Sequence, residues 1–343
     1  MKNYIIKIML LVLGFITSCY EPIKLKMNIN SNILVVDGYI SDIKTIHQIK
    51  LSYSTRFENF NPTPLIYAEV SVSDNSGNIY VFTENRPGHY YSLDSFAVIE
   101  NTEYQLHIRT SDNLSYTSIP QTLNKVLPIQ DIQFEATTIQ KLNHNNEIED
   151  VNGLNTLVPI NNPTEENQFF KFNFTETYIY QADLALKNSS HKNCWLTDYE
   201  KSVMLVSKKG GLNNLTIGLI PHNYKQEVRY SLLIEQFGLN HDSYKYWSEI
   251  KNQLENNGSI FDTMPFPIEG NVYNTNNSSD KILGFFGVYS VSAKRVYLDL
   301  NDFPFSYEID PNRCAGPMIP LECFNCMYYR NYQITNIKPT WWN

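Results

Sequence analysis

Five cysteines are the residues of this chain whose spacing could support chemistry. Cys194, Cys314, Cys323 and Cys326 lie in the body of the sequence, and four cysteines allow three ways of forming two disulfides. Outside the cytosol such thiols are expected to oxidise, so the sequence favours structural disulfides. A zinc site with four cysteine ligands and free thiols are the alternatives. Cys323 and Cys326 have the two-residue spacing of a redox motif, but they do not begin a helix that follows a strand, as that motif requires.

Cys19 occupies a different setting, at the end of a typical export signal. Lys2 and Lys7 provide a positive start, residues 8–16 are apolar, and Thr17-Ser18 precede the cysteine. This order resembles the lipobox of bacterial lipoproteins, in which the thiol receives a diacylglycerol and the chain is cleaved before the cysteine. Two or three acyl chains anchor a protein firmly, because each buried CH₂ contributes roughly 0.8 kcal/mol. A plain secretory signal with an incidental cysteine is the alternative.

The composition and net charge of the chain exclude several classes of protein. The chain has 343 residues, 42% of them hydrophobic and 18% charged, which fits neither a disordered chain nor a polytopic membrane protein. There are 27 basic and 35 acidic side chains. Cleavage after residue 18 would remove two lysines, leaving 25 basic against 35 acidic side chains and a net charge of −10. A nucleic-acid-binding surface needs a basic surplus, so we predict no nucleic-acid partner.

The cysteines must be positioned by a mainly β body. We predict a signal peptide over residues 1–18, and a lipidated cysteine with its tether over residues 19–31. Residues 32–120 alternate between apolar and polar side chains in about seven short runs separated by turn signals. This pattern is typical of strands, and its size predicts an immunoglobulin-like β-sandwich.

A second β-rich domain is predicted over residues 128–343, after a linker near residues 120–128. The polar, asparagine-rich residues 139–167 are expected to form a mobile loop. One amphipathic helix is expected near residues 242–256, because Tyr244, Trp247 and Leu254 recur on one face. We interpret this aromatic stripe as core packing rather than as a ligand site.

No catalytic or metal-binding motif stands out. The seven histidines do not form a zinc-binding pair, and no Gly-x-Ser-x-Gly elbow occurs. Lys208-Lys209-Gly210-Gly211 lacks the other positions of a phosphate-binding loop. We therefore predict no catalytic residue, metal or cofactor, and a protein that is not an enzyme.

Several segments together resemble a known family. They are residues 34–42, residues 49–52, Tyr244-Lys245-Tyr246-Trp247, residues 253–255, residues 258–262, Pro265, residues 269–272, residues 283–286 and Lys338-Pro339-Thr340-Trp341-Trp342. In order and spacing they resemble the domain of unknown function 4249 family of Bacteroidota lipoproteins. Within them, Gly258 is expected to end the helix, while Gly270 and Gly284 are expected where the backbone turns tightly or approaches another segment closely.

The resemblance implies an outer-membrane lipoprotein, and members are often encoded beside a TonB-dependent receptor-like barrel. We therefore expect a lipid-anchored, non-enzymatic binding or accessory module for such a transporter, with its body facing the cell surface rather than the periplasm. The ligand is unknown, and the resemblance carries no catalytic residues. The alternatives are a surface hydrolase of peptides or glycans and a structural or adhesive surface protein.

Overall fold

The fold is mainly β, as the sequence predicts. The computed structural model describes residues 33–55, 62–143, 145–199, 202–255, 267–277, 279–308, 310, 312–329 and 333–342. The signal, Cys19 and the tether lie outside these residues, as do Gly258 and Pro265. Within the described ranges, no helix is long and apolar enough to cross a membrane.

The strands form two sheets that share one long strand. The N-terminal sheet contains β1 (Leu34–Ser41), β2 (Gln48–Tyr53), β3 (Thr63–Pro64), β4 (Glu69–Asp74), β5 (Ile79–Arg86), β6 (His89–Ser92), β7 (Glu103–Arg109), β8 (Ser115–Ser118) and β9 (Gln121–Thr122). The C-terminal sheet contains β10 (Gln133–Leu142), β11 (Ile148–Gln181), β12 (Asn193–Tyr199), β13 (Met204–Pro221) and β14 (Tyr230–Leu239). Helix α1 (His241–Glu255) follows, and then β15 (Val272–Asn274), β16 (Leu283–Leu298) and β17 (Ile334–Thr335).

The N-terminal sheet is organised like a sandwich around one apolar cluster. Its strands are hydrogen-bonded in the order β16, β1, β2, β6, β5, β4, β7, β8, β15. Along β4, Val70 and Val72 are buried while Glu69 is exposed. This alternation gives each strand one inward and one outward face, and the inward side chains form the cluster.

Two late segments return to this sheet. Residues 283–289 of β16 run parallel to residues 35–41 of β1, and β15 pairs with β8. Residues 272–289 therefore pack in the N-terminal sheet, although the sequence analysis assigns them to the second domain. A linear reading could not find this return, because the pairing partners are more than 150 residues apart along the chain.

Glycines make this return possible. A Cβ at Gly270 would lie 1.5 Å from the carbonyl oxygen of Gly284, and a Cβ at Gly284 would lie 1.8 Å from that of Val36. Gly284 also has φ near +88°, which side chains strongly disfavour. The predicted close backbone approach at Gly270 and Gly284 is confirmed.

The C-terminal sheet is built on β11, which spans 34 residues. Residues 148–157 pair with β10, and most of residues 153–172 pair with β13. The prediction of a mobile loop over residues 139–167 is therefore wrong. Strand pairing satisfies much of the backbone of this segment, with residues 153–157 paired on both sides, and Leu154, Val158 and Ile160 supply buried apolar surface.

The predicted linker is packed between the two sheets. Val126 is buried, and the Asn124 side-chain amide donates to the Leu239 carbonyl oxygen at 2.7 Å. Gly238 makes room for the segment, since a Cβ there would lie 2.3 Å from the Asn124 carbonyl oxygen. The segment therefore braces the two sheets against each other.

Candidate functional site

The structure pairs the four body cysteines as two disulfides. Cys194 bonds Cys326 with an S–S distance of 2.01 Å, and Cys314 bonds Cys323 at 2.08 Å. Each thus uses its sulfur in a bond to another cysteine. Among the described residues, no group of three or more His, Cys, Asp or Glu side chains could hold a metal ion. Cys19 lies outside the described residues.

The Cys194–Cys326 disulfide holds the C-terminal segment against the C-terminal sheet, and Cys314–Cys323 closes a short loop within that segment. Cys194 lies on β12, and the Cys326 amide donates to the His191 carbonyl oxygen at 2.9 Å. The Leu184 amide donates to the Cys323 carbonyl oxygen, also at 2.9 Å. These contacts make the cysteines structural groups.

Two cations of the C-terminal sheet are also structural. Arg313 nitrogens lie 2.7 Å from the Asp183 carboxylate and 2.6 Å from the Glu227 carboxylate. Burial acts to lower the pKa of Arg313, but hydrogen bonds and charge interactions with the two carboxylates outweigh it and raise the pKa. With its charge satisfied twice, this guanidinium is not free for a ligand.

Lys225 is the second of these two cations. Its amine lies 2.6 Å from Glu176 and 3.1 Å from Asp198. Burial acts to lower the pKa of Lys225, but the two carboxylates outweigh it and raise the pKa.

The two sheets meet at Asp42, immediately after β1. Its carboxylate accepts hydrogen bonds from Lys125 Nζ at 2.8 Å, from Ser290 Oγ at 2.7 Å and from the Val291 amide at 2.9 Å. Burial acts to raise the pKa of Asp42, but these three donors outweigh it and hold the pKa below its usual value. Asp42 thus links β1, the predicted linker and β16 where β16 leaves one sheet for the other.

Helix α1 covers the C-terminal sheet beside this crossing. Asn240 caps the helix, since its side-chain oxygen accepts from the Ser243 amide at 2.8 Å. Tyr244 stacks on Phe169 with ring centroids 4.6 Å apart, and Trp247 Nε1 donates to the Tyr289 hydroxyl at 3.3 Å. The prediction that the aromatic stripe packs onto the sheet is confirmed at these two residues.

A lysine amine lies within this aromatic packing. Lys171 Nζ is 4.4 Å from the ring centroid of Trp247 and 5.0 Å from that of Phe237, and it donates to Asn173 Oδ1 at 2.9 Å. Burial lowers the pKa of Lys171 to about 8, with opposing effects from Glu235 and Asp37. Cation–π contacts of this kind hold the ammonium in place.

The strongest candidate for ligand binding is a cavity of about 450 Å³ on the outer face of β1 and β2, which we call the β1–β2 cavity. Tyr39 connects it to the aromatic packing, since its ring centroid lies 5.7 Å from Phe237 and 5.5 Å from Tyr289. The residues lining it are Asp37, Gly38, Tyr39, Ser41, Thr45, Ile46, His47, Gln48, Lys50, Arg86 and His89.

A row of hydrogen bonds crosses the wall of this cavity. Arg86 and Gln48 both donate to the Tyr91 hydroxyl, at 3.1 and 3.0 Å. The Gln48 amide nitrogen also lies 2.6 Å from His89 Nδ1. Since that nitrogen can only donate, His89 Nδ1 accepts and Nε2 carries the proton. Burial lowers the pKa of His89, as do the charges of Arg86 and Lys50, so the imidazole is kept neutral.

The described residues that line the cavity include groups that can exchange protons, but no nucleophile among them lies beside a base. His47 Nε2 lies 2.9 Å from the Phe96 carbonyl oxygen and must donate to it, so this nitrogen is not placed to remove a proton from Ser41 or Thr45. Amine, guanidinium and imidazole donors on one wall, with Asp37 as an acceptor, suit the non-covalent recognition of a small molecule.

One comparison with known proteins gives a match. The family described as "Domain of unknown function (DUF4249)" matches residues 20–295. The chain belongs to the DUF4249 family. No curated protein matches it.

The DUF4249 match covers the β1–β2 cavity, Asp42 and α1, whereas Cys314, Cys323 and Cys326 lie beyond it. No sequence motif marks the cavity residues as a binding site. Gln48 and Lys50 are readable as outward positions of an alternating strand. Arg86 and His89 lie beside them only because β6 pairs with both β2 and β5. No sequence motif indicates that pairing.

Proposed function

We propose that this protein is a lipid-anchored, non-enzymatic binding module of the outer membrane that works with a TonB-dependent receptor-like transporter. The anchor would be Cys19, at the end of its export signal. Residues 20–31 would tether the body to the membrane. The family resemblance supports the transporter as the partner.

The β1–β2 cavity is the observation that carries the binding role. Within the described part of the chain, no carboxylate oxygen lies within 4.0 Å of the Lys50 or Arg86 side-chain nitrogens. Arg313 and Lys225, by contrast, are each held by two carboxylates. Cations without such partners beside a cavity are available to a ligand, whereas the paired cations serve the fold.

Purification from the native membrane tests this proposal. The full chain, tagged at its C-terminus, is extracted from outer membranes with mild detergent and captured, and the captured proteins are identified by mass spectrometry. We expect an outer-membrane barrel to be enriched at a level comparable to the bait. Capture of the bait alone, under conditions that keep known barrel complexes intact, would contradict the proposed partnership.

The orientation of the body needs a separate test, because the proposal places it on the cell surface. Protease treatment of intact cells should degrade the body while a periplasmic control protein survives. Protection of the body in intact cells, with degradation after lysis, would place it in the periplasm and remove a role in capturing external cargo.

A further inference from the structure

We infer that the β1–β2 cavity binds a small organic anion, one that carries a carboxylate or a phosphate group. The inference rests on the proposed function, because it names the ligand class for the same site. Its basis is the set of donors that faces the cavity from three neighbouring strands: Lys50 on β2, Arg86 on β5 and His89 on β6. Gln48 on β2 uses both amide hydrogens on Tyr91 and His89, so it positions the site instead of binding the anion.

The wall of the cavity is positively charged, although the protein as a whole is negatively charged. The chain has a net charge of −8, yet Lys50 and Arg86 line the cavity with Asp37 as the only acidic lining residue. Asp37 is the cross-strand neighbour of Lys50, and their charges partly offset each other. The site is therefore net positive, and it would attract anions from solution.

Two of the donors, Arg86 and His89, already make hydrogen bonds within the protein. The Tyr91 hydroxyl accepts from one Arg86 nitrogen at 3.1 Å. The other guanidinium N–H groups have no hydrogen-bond partner among the described residues and are available to an anion. The bond from Gln48 to His89 Nδ1 sets the ring so that Nε2–H is a donor. A fork-shaped guanidinium held in one orientation suits two-point binding of a carboxylate or phosphate.

The volume limits the size of the ligand. About 450 Å³ falls within the range of roughly 300 to 1,000 Å³ that small-molecule sites occupy. A small organic anion fits inside this volume. Asp37, together with the hydroxyls of Ser41 and Thr45, offers acceptors, so the ligand would also carry hydroxyl or amine donors.

The Lys171 amine is a weaker candidate for the same role. It lies against the rings of Trp247 and Phe237 and its one hydrogen bond in the described structure goes to Asn173. These contacts place it under α1 rather than in a lined cavity. We therefore assign the anion to the β1–β2 cavity.

Calorimetric titration of the full, detergent-solubilised chain tests the inference. The probes are inorganic phosphate, glucuronate as a sugar carboxylate, and glucose as a neutral control. We expect saturable binding of phosphate or glucuronate and none of glucose. The tighter of the two anions identifies whether the site prefers a phosphate or a carboxylate.

Two pairs of substitutions make the test specific. Lys50→Met with Arg86→Gln removes both cations of the cavity and should weaken anion binding at least about tenfold, as expected for the loss of charge-assisted hydrogen bonds. Lys141→Met with Lys187→Met removes two exposed charges elsewhere and should leave the affinity within about twofold, because exposed charges outside the site are screened. If the first variant melts at a clearly lower temperature, Lys50→Gln alone replaces it and should still weaken binding measurably.

The inference is overturned if neither anion binds saturably, or if both pairs of substitutions change the affinity equally. Its failure can be separated from that of the proposed function. A captured barrel with no anion binding would leave the binding module standing and remove only the ligand class. Anion binding without a barrel partner would keep the ligand class and remove the partnership.

Discussion

The two sheets reach stability in different ways. The N-terminal sheet has short, alternating strands around one apolar cluster, and none of its described residues forms a disulfide. It is closed by backbone segments that touch at Gly270 and Gly284. The C-terminal sheet has strands of up to 34 residues, two disulfides and two half-buried cations that are each held by two carboxylates.

This difference determines which kind of substitution should destabilise each sheet. Close contact of backbone atoms cannot relax around an added side chain, so the N-terminal sheet depends on the shape of a few glycines. Cross-links and ion clusters can be removed one at a time, so the C-terminal sheet should lose stability in steps. Four substitution experiments test this difference between the sheets.

The largest effect is expected from Gly284→Ala. The new Cβ would lie 1.8 Å from the Val36 carbonyl oxygen, at a φ near +88°, so the pairing of β1 with β16 should be lost. We expect a destabilisation above about 5 kcal/mol, a range that single substitutions seldom reach. Soluble yield and thermal melting measure it.

Gly77→Ala is the matched control, because Gly77 has φ near +89° and nothing within 4 Å of an added Cβ. It carries the backbone strain without the clash and should cost only about 1 to 2 kcal/mol. Equal effects of the two substitutions would contradict the claim that close backbone contact closes the N-terminal sheet.

The disulfides should differ in strength. Cys194 and Cys326 are 132 residues apart, whereas Cys314 and Cys323 are 9 apart. Because a longer loop loses more entropy on closure, replacing both cysteines by Ala should cost about 5 kcal/mol for the first pair and about 3 kcal/mol for the second. Urea unfolding of the two double variants tests the order. A larger loss for the short loop would show that loop entropy does not govern these cross-links.

Asp42→Ala tests the link between the sheets. The change leaves the Ser290 hydroxyl, the Val291 amide and the Lys125 ammonium without their acceptor, and should cost about 2 to 3 kcal/mol. Asp131→Ala removes a carboxylate that also pairs with a lysine, Lys294, but is fully exposed, and should leave the melting temperature unchanged. If both variants melted like the parent, Asp42 would not brace the two sheets.

The effect of Asp42 also has a defined pH dependence. Its pKa in the folded protein lies below the usual 3.8, so the unfolded chain takes up a proton first as the pH falls. The stability that Asp42 contributes is therefore complete at neutral pH and disappears in acid. The difference in stability between parent and Asp42→Ala should therefore shrink as the pH falls below 3.8 and through the lowered pKa of the folded state.

The smallest effect is expected from Lys171→Met. This substitution tests whether every cation of the C-terminal sheet stabilises the protein. The pKa of Lys171 is about 8 against a usual 10.5, so between these values the unfolded chain binds the extra proton and stability rises with pH. Below pH 8 the full penalty of burying the ammonium applies. Met should therefore stabilise the protein at pH 7, on the order of 1 to 2 kcal/mol after the lost cation–π contacts.

That gain should shrink as the pH rises towards 10, which paired thermal melts at pH 7 and pH 9.5 would show. A variant that is less stable than the parent at pH 7 would mean that the aromatic contacts outweigh the penalty of burial.

The N-terminal strands could be predicted because apolar and polar side chains alternate along adjacent residues. The short alternating runs predicted within residues 32–120 are found as β1 to β8. Residues 139–167, at the end of β10 and in the first part of β11, could not be predicted as strands, because many of them are polar and they are ordered by strand pairing with each other and with β13. Asparagine-rich composition indicates a loop only when no partner strand supplies backbone hydrogen bonds.

The candidate site shows the same limit. Lys50 is visible as an outward position, but Arg86 and His89 meet it only through the pairing of three strands. The predicted linker, similarly, has the prolines of a connection at residues 120 and 128 but is fixed by contacts with β14 and β16. Side-chain chemistry could be seen in the sequence, whereas the long-range pairing that assembles it could not.

The lipid anchor is the claim on which the proposed partnership depends, and intact-protein mass spectrometry tests it most directly. Protein purified from the envelope should begin at Cys19, lack the 18 preceding residues and carry the added mass of a diacylglycerol with or without a further acyl chain. Cys19→Ser should carry no lipid and leave the membrane fraction. A parent protein with an unmodified Cys19, or a Cys19→Ser variant that stays in the membrane fraction, would contradict the anchor.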